Sequence, residues 1–115
     1  MKILDRIVGV LIMLLGVIHS TFSPVFHGHY DDVGMWVLSG GLMMIFLGMM
    51  NLVRSASPGN AARRGALAAN LLGLTFALAL VPLFPLRQNP QVAILIVLVV
   101  ASTIFSLPRR GAPAA

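Results

Sequence analysis

Apolar residues follow one another in four long runs along this chain, and polar residues collect between the runs. The runs predict helices at about residues 3–22, 33–53, 62–83 and 91–107. A helix needs ~20 residues to span the hydrocarbon core of a bilayer, and the middle two runs meet that length. The outer two need flanking residues or local thinning of the bilayer. Because the runs are continuous rather than alternating, and open strand edges do not lie in lipid, we predict an all-α fold.

Breaker residues stand between the runs. Ser23-Pro24 is predicted to close the first helix, because proline lacks an amide donor. Ser57-Pro58-Gly59-Asn60 is predicted to form the second turn, and Asn89-Pro90 to start the fourth helix. Connections this short make neighbouring helices antiparallel. The prediction is a single domain over residues 1–115, a four-helix transmembrane bundle with up-down topology.

Composition agrees with a bilayer as the surroundings of the chain. Hydrophobic residues make up 58% of it and charged residues 10%, and the mean hydropathy is +0.96. The lack of cysteine excludes disulfides and thiolate metal sites. The net charge is +5, but the basic residues lie in short clusters without interleaved aromatic residues. We therefore expect the lipid bilayer, and no nucleic acid, as a partner.

Lysine and arginine are distributed unevenly between the two predicted ends of the bundle. Arg87 lies at one end, and the other basic residues lie at the opposite end: Lys2, Arg6, Arg54, Arg63, Arg64, Arg109 and Arg110. By the positive-inside rule both termini are cytoplasmic, which is an N-in/C-in topology. The predicted location is the bacterial inner (cytoplasmic) membrane, crossed several times.

Small residues recur at helix-packing spacings, which lets a neighbouring backbone approach closely. The three series are Gly9, Gly16 and Ser23; Gly34, Gly41 and Gly48; and Gly65, Ala69, Gly73 and Ala77. On the first helix, most polar and small residues share one stripe, which is predicted to face the bundle. Its members are Asp5, Gly9, Ile12, Gly16, His19 and Ser23.

His19 is the main candidate for a functional side chain. An ionisable group inside a spanning helix is costly and usually faces the interior with a partner. We expect a pocket for a small apolar ligand at the extracytoplasmic end, lined by His19, Asp32, Trp36 and Ser39. The alternatives are a structural histidine bonded to a backbone carbonyl or to Ser23, and a tryptophan in the interfacial aromatic belt.

The loop after the first helix has the composition of a metal site. In an extended loop His27 and His29 point to the same side, and Asp31 or His19 supplies a third ligand. The alternative is a solvated polar loop, because many His-x-His pairs bind nothing.

Two segments resemble small four-span bacterial membrane proteins, broadly the DoxX-like proteins. They are Gly16-Val17-Ile18-His19-Ser20 and the glycine-rich segment from Met35-Trp36 through Gly40-Gly41 to Phe46-Leu47-Gly48. The resemblance covers about the first half of the chain. It implies a four-helix bundle and no particular activity.

Three functional interpretations follow. The first is a non-enzymatic membrane protein that binds a small apolar ligand or a membrane partner, and a buried polar cluster with an open cavity favours it. The second is a metal- or quinone-dependent enzyme or redox accessory that uses His19, His27 and His29. The third is a structural subunit of a larger complex or homo-oligomer, which a lipid-facing series from Gly65 to Ala77 favours.

Overall fold

The computed structural model describes residues 2–27, 32–112 and 114, with the side chains of residues 23–27 left out. Within this part the chain forms four helices and no strand, so the predicted all-α class is confirmed. The helices are α1 (Lys2–His27), α2 (Asp32–Ala56), α3 (Asn60–Leu80) and α4 (Pro90–Phe105).

All four helices end at other residues than predicted: α2 ends three residues later, at Ala56, and α4 two residues earlier, at Phe105. The first helix continues through Pro24 to His27, although Ser23-Pro24 was expected to close it. A proline inside a helix removes the bond that its own amide would donate and crowds the carbonyl group four residues before it, but the amides after it can still donate within the helix. The third helix ends at Leu80, three residues before the predicted end and shortly before Pro82.

Glycines bring α1 and α2 together in the most extensive contact between two helices. A Cβ atom added at Gly16 would lie 2.6 Å from the carbonyl oxygen of Gly41. A Cβ atom added at Gly48 would lie 2.7 Å from the carbonyl oxygen of Gly9. Because these distances are shorter than a side-chain carbon tolerates, the two backbones meet where only glycine fits. Gly34, the other member of the α2 series, is also buried.

The α1 stripe faces the other helices, as predicted. Asp5, Gly9, Ile12 and Gly16 are buried, and His19 is half-buried. Its last predicted member is a serine at position 23, whose side chain lies outside the described part of the chain. The stripe thus places a carboxylate and an imidazole of one helix inside the molecule.

The small residues of α3 do not form one contact surface. Gly73 and Ala77 are buried, Ala69 is half-buried and Gly65 is exposed. Residues four apart on a helix are displaced by about 40° around its axis, so a strict four-residue series winds away from the buried face. The buried face alternates steps of three and four, and its members are Arg63, Ala66, Asn70, Gly73 and Ala77.

A hydrophobic core joins all four helices. Ile12 of α1 and Val99 of α4 are fully buried in it. Its members are Val8, Ile12, Met44, Leu47, Ala77, Leu95 and Val99.

Two segments are long and apolar enough to cross a membrane, judged by length and composition. They are Lys2–Phe22 within α1 and Asp32–Ala56, which is α2. The fourth helix is also apolar and has 16 residues.

Candidate functional site

Asp5, Arg54 and Arg63 form a charged cluster where α1, α2, α3 and the end of α4 meet. Asp5 is 7% exposed and Arg54 is 1% exposed. Arg54 donates Nη1 to Asp5 Oδ2 at 3.0 Å and donates Nη2 to Asp5 Oδ1. This two-pronged arrangement is the strongest geometry of a guanidinium with a carboxylate. The pair therefore compensates two charges inside the protein.

The same cluster holds the C-terminal end of α4. Arg54 Nη1 donates to the carbonyl oxygen of Phe105 at 2.7 Å, and Arg63 Nη1 donates to that oxygen at 2.8 Å. Arg63 Nη1 also reaches the carbonyl oxygen of Leu107 at 3.4 Å. The last carbonyls of a helix lack partners within the helix and carry partial negative charge. Two arginines satisfy them and fix α4 against α2 and α3.

An amide cluster of Asn51, Asn70 and Ser106 lies beside the charged cluster. Asn51 Nδ2 donates to Asn70 Oδ1 at 2.8 Å, and Asn70 Nδ2 donates to Asn51 Oδ1 at 2.9 Å. Asn70 Nδ2 also donates to Ser106 Oγ at 2.9 Å, so the cluster joins α2 and α3 to the end of α4. Thr103 Oγ1 donates to the carbonyl oxygen of Val99 within α4 at 2.7 Å.

Sequence reasoning missed the role of Arg54 and Arg63 because it counted them as markers of topology. A signal for Arg54 was present. Leu47, Asn51 and Arg54 are spaced by four and three and continue the buried stripe of α2. A basic residue on a buried stripe needs a carboxylate partner, and only three acids occur in the chain.

The His19 groove is an open cavity of about 540 Å³. It lies ~21 Å along α1 from Asp5, since fourteen residues separate the two positions. Its polar side chains are His19 and Gln91, and its aromatic ones are Trp36, Phe76 and Phe84. The rest of the described lining is aliphatic residues, methionine and glycine, with no carboxylate, lysine or arginine. Such a site suits a neutral, mainly apolar molecule.

Gly40 leaves room beside the imidazole. A Cβ atom added at Gly40 would meet only His19 Nε2, at 3.8 Å. Among the described residues the imidazole has no hydrogen-bond partner, so it is free to bind a polar atom of a ligand.

Of the other predicted ligand-binding residues, Trp36 lies in the His19 groove, whereas Ser39 and Asp32 do not. Trp36 lines the His19 groove and is 73% exposed. Ser39 lines a second groove between α2 and α3, and its hydroxyl donates to the carbonyl oxygen of Trp36 at 2.7 Å. Ser39 lies three residues after Trp36, and three residues turn a helix by about 300°, so the two side chains point in directions about 60° apart around α2. Asp32 is the exposed first residue of α2 and lines neither groove.

The predicted metal site falls mainly outside the described part of the chain. This holds for His29, for Asp31 and for the side chain of His27. Among the described residues, no group of three or more histidine, aspartate or glutamate side chains is placed to hold a metal ion.

No family model, curated protein or solved structure matches this chain.

Proposed function

We propose that this chain is a four-span integral membrane protein that binds a small, neutral, apolar ligand in the His19 groove. The membrane location is supported by the distribution of polarity, because polar side chains are buried and large apolar side chains are exposed. Asn51, Asn70 and Arg54 are at most 1% exposed, whereas Leu72 and Phe46 are 74% and 67% exposed. In water, apolar surface of this extent aggregates, whereas lipid favours it and requires ionisable groups to be paired inside.

The spans are α1 to α4, with both termini in the cytoplasm of a bacterium. Asp5 pairs with Arg54, Gly9 meets Gly48 and Gly16 meets Gly41, a sequence of contacts that supports antiparallel α1 and α2. The third helix has 21 residues and rises ~31 Å, which matches the hydrocarbon core. The fourth rises ~24 Å and needs local thinning of the bilayer.

The His19 groove supports a ligand with one hydrogen-bonding group on an otherwise apolar body. Its three aromatic rings offer flat apolar contact, and the free imidazole offers one directed hydrogen bond. Its described lining carries no fixed charge, so a charged ligand would lose hydration without compensation. The protein is a binding protein rather than an enzyme in this proposal, and the DoxX-like resemblance is compatible with it.

A structural-subunit role has less support. It relies on the series from Gly65 to Ala77 as a docking surface, and two members of that series, Gly73 and Ala77, are buried within the chain itself.

The single tryptophan of the chain provides the test of binding. Trp36 lines the groove, so a bound naphthyl ketone would quench its emission by energy transfer. The purified chain in phosphatidylcholine nanodiscs is titrated with that ketone. We expect a saturable component above the linear partition of the probe into lipid.

Two glycine substitutions provide matched variants. Gly40→Leu places its side chain in the groove beside His19, whereas Gly65→Leu points at Met50, where a Cβ atom would find only Cε at 3.9 Å. The saturable component should vanish in Gly40→Leu and persist in Gly65→Leu. Strictly linear quenching in the unaltered chain, or the same curve for both variants, would contradict ligand binding in this groove.

A further inference from the structure

A second groove runs between α2 and α3. This α2–α3 groove has a volume of about 770 Å³. Apart from Ser39 its lining is apolar, with Phe46 and Met50 on α2 and Leu72 and Gly73 on α3. The depth at Gly73 follows from its missing side chain, because a Cβ atom there would lie 2.8 Å from Leu47 Cδ2. The groove is long, apolar and open to the outer surface.

Three exposed arginines gather at the start of α3. The side chain of Asn60, the first residue of α3, donates to the carbonyl oxygen of Arg109 at 3.2 Å and accepts from its amide at 3.1 Å. This clamp holds the segment after α4 against the first turn of α3, about one turn before Arg64. Arg64, Arg109 and Arg110 are all exposed, and we call them the basic triad.

Among the described residues, no carboxylate is paired with the basic triad. The first turn of α3 contains no acidic residue, and its N-cap, Gly59, provides no side-chain cap. The amide end of a helix already carries partial positive charge, so adjacent arginines add to it. Asp5, the acid of the charged cluster, has both oxygens bonded to Arg54.

The basic triad and the α2–α3 groove share the end of the molecule where α2 ends and α3 begins. Gly65 follows Arg64 directly, and a Cβ atom at Gly65 would lie 3.9 Å from Cε of Met50, a groove residue. The last groove residue of α2 is Val53, three residues before the helix ends at Ala56. The apolar groove therefore opens at the same end as the exposed guanidinium groups.

We propose that the α2–α3 groove and the basic triad together bind an anionic phospholipid. One acyl chain occupies the groove between Phe46 and Leu72, and the phosphate contacts the basic triad. Arginines near a bilayer surface attract anionic headgroups, and planar guanidinium groups fit phosphate oxygens. The inference rests on the proposed membrane location and is independent of the His19 groove.

Lipid retention in native mass spectrometry tests the site. The detergent-purified chain is titrated with phosphatidylglycerol and with phosphatidylcholine that has identical acyl chains. We expect tighter retention of phosphatidylglycerol, weakened about fivefold by Arg64→Gln and by a similar factor for each further arginine removed from the basic triad. Arg87→Gln, at the other end of the chain's spans, should leave retention unchanged. Because Asn60 holds Arg109 through backbone atoms, Arg109→Gln retains the clamp.

Three outcomes overturn the inference. Equal retention of the two lipids would show that the lipid's charge does not contribute to binding. Equal weakening by Arg64→Gln and Arg87→Gln would show that the lipid is not bound at the basic triad. Protection of the chain against thermal unfolding by inorganic phosphate alone, equal to that by phosphatidylglycerol, makes the triad a site for a free anion. Failure of the membrane proposal looks different, since the chain would then not incorporate into phosphatidylcholine vesicles at all.

Discussion

Arg54 of α2 and Asp5 of α1, which are 49 residues apart in sequence, form a buried ion pair with both carboxylate oxygens bonded to one guanidinium group. The pair sits at one end of the α1–α2 contact, and the same guanidinium binds the end of α4 through Phe105. One residue of α2 therefore connects the first and last helices. Arg63 shares this role at Phe105, so two arginines hold the end of α4.

Removing the carboxylate should destabilise the protein. Asp5→Asn leaves the positive charge of Arg54 buried without an ionic partner, which typically costs about 3–5 kcal/mol. The free energy of unfolding can be measured in mixed micelles by titration with SDS. Asp32→Asn changes an exposed carboxylate and is the matched control.

A double substitution separates loss of the pair from loss of packing. Asp5→Leu combined with Arg54→Met replaces both charges by apolar groups, and buried pairs replaced in this way are often neutral or more stable. Phe105 keeps its bond from Arg63 in that variant. A double variant as unstable as Asp5→Asn would mean that the ion pair itself, rather than charge compensation, maintains the fold.

The α1–α2 contact should not tolerate a methyl group. Gly16→Ala would place a carbon 2.6 Å from Gly41 O and 2.8 Å from Ile45 N, both of them backbone atoms. Overpacking of this kind costs about 1–3 kcal/mol, and the same SDS titration measures it. Gly65→Ala is the control, because its Cβ atom finds only the flexible end of Met50. We expect that change to be neutral or stabilising by up to about 1 kcal/mol, since alanine favours a helix. Equal effects of the two substitutions would show that the close approach at Gly16 is not limiting.

The sequence predicted helix number and the inward face of α1 because both follow from local periodicity. The close packing at Gly16 and Gly41 was also predictable, because it follows from the spacing of small residues along each helix. The partner of Arg54 did not, since pairing across 49 residues depends on how α1 and α2 are placed against each other. The grouping of Ser39 with Trp36 had the same weakness. Both residues lie near one end of α2, but their side chains point in different directions around the helix and therefore line different grooves.

The proposed topology predicts which side of the membrane each turn occupies. Because the chain contains no cysteine, single cysteines can be introduced without a background reaction. Pro58 lies between α2 and α3, and Gln88 lies between α3 and α4; both are exposed. Pro58→Cys should react with a membrane-impermeant maleimide only in inside-out vesicles, and Gln88→Cys only in right-side-out vesicles. Reaction of both from the same side would exclude α3 as a membrane span.

The imidazole of His19 should contribute to binding only when the ligand offers a hydrogen-bonding group. His19→Phe retains an aromatic ring in the groove and removes the hydrogen bond, which is worth about fivefold in affinity. The loss should appear in the saturable quenching of Trp36 by the naphthyl ketone and be absent for the analogous naphthalene without a carbonyl group, whose affinity is measured by its displacement of the ketone. Because His19 is half-buried and unpaired among the described residues, the substitution should leave the free energy of unfolding nearly unchanged. If the affinities for both probes fall equally, the histidine shapes the groove and does not bond to the carbonyl group of the ligand. If neither affinity falls, the ligand contacts the aromatic end of the groove around Phe84 and does not reach the imidazole.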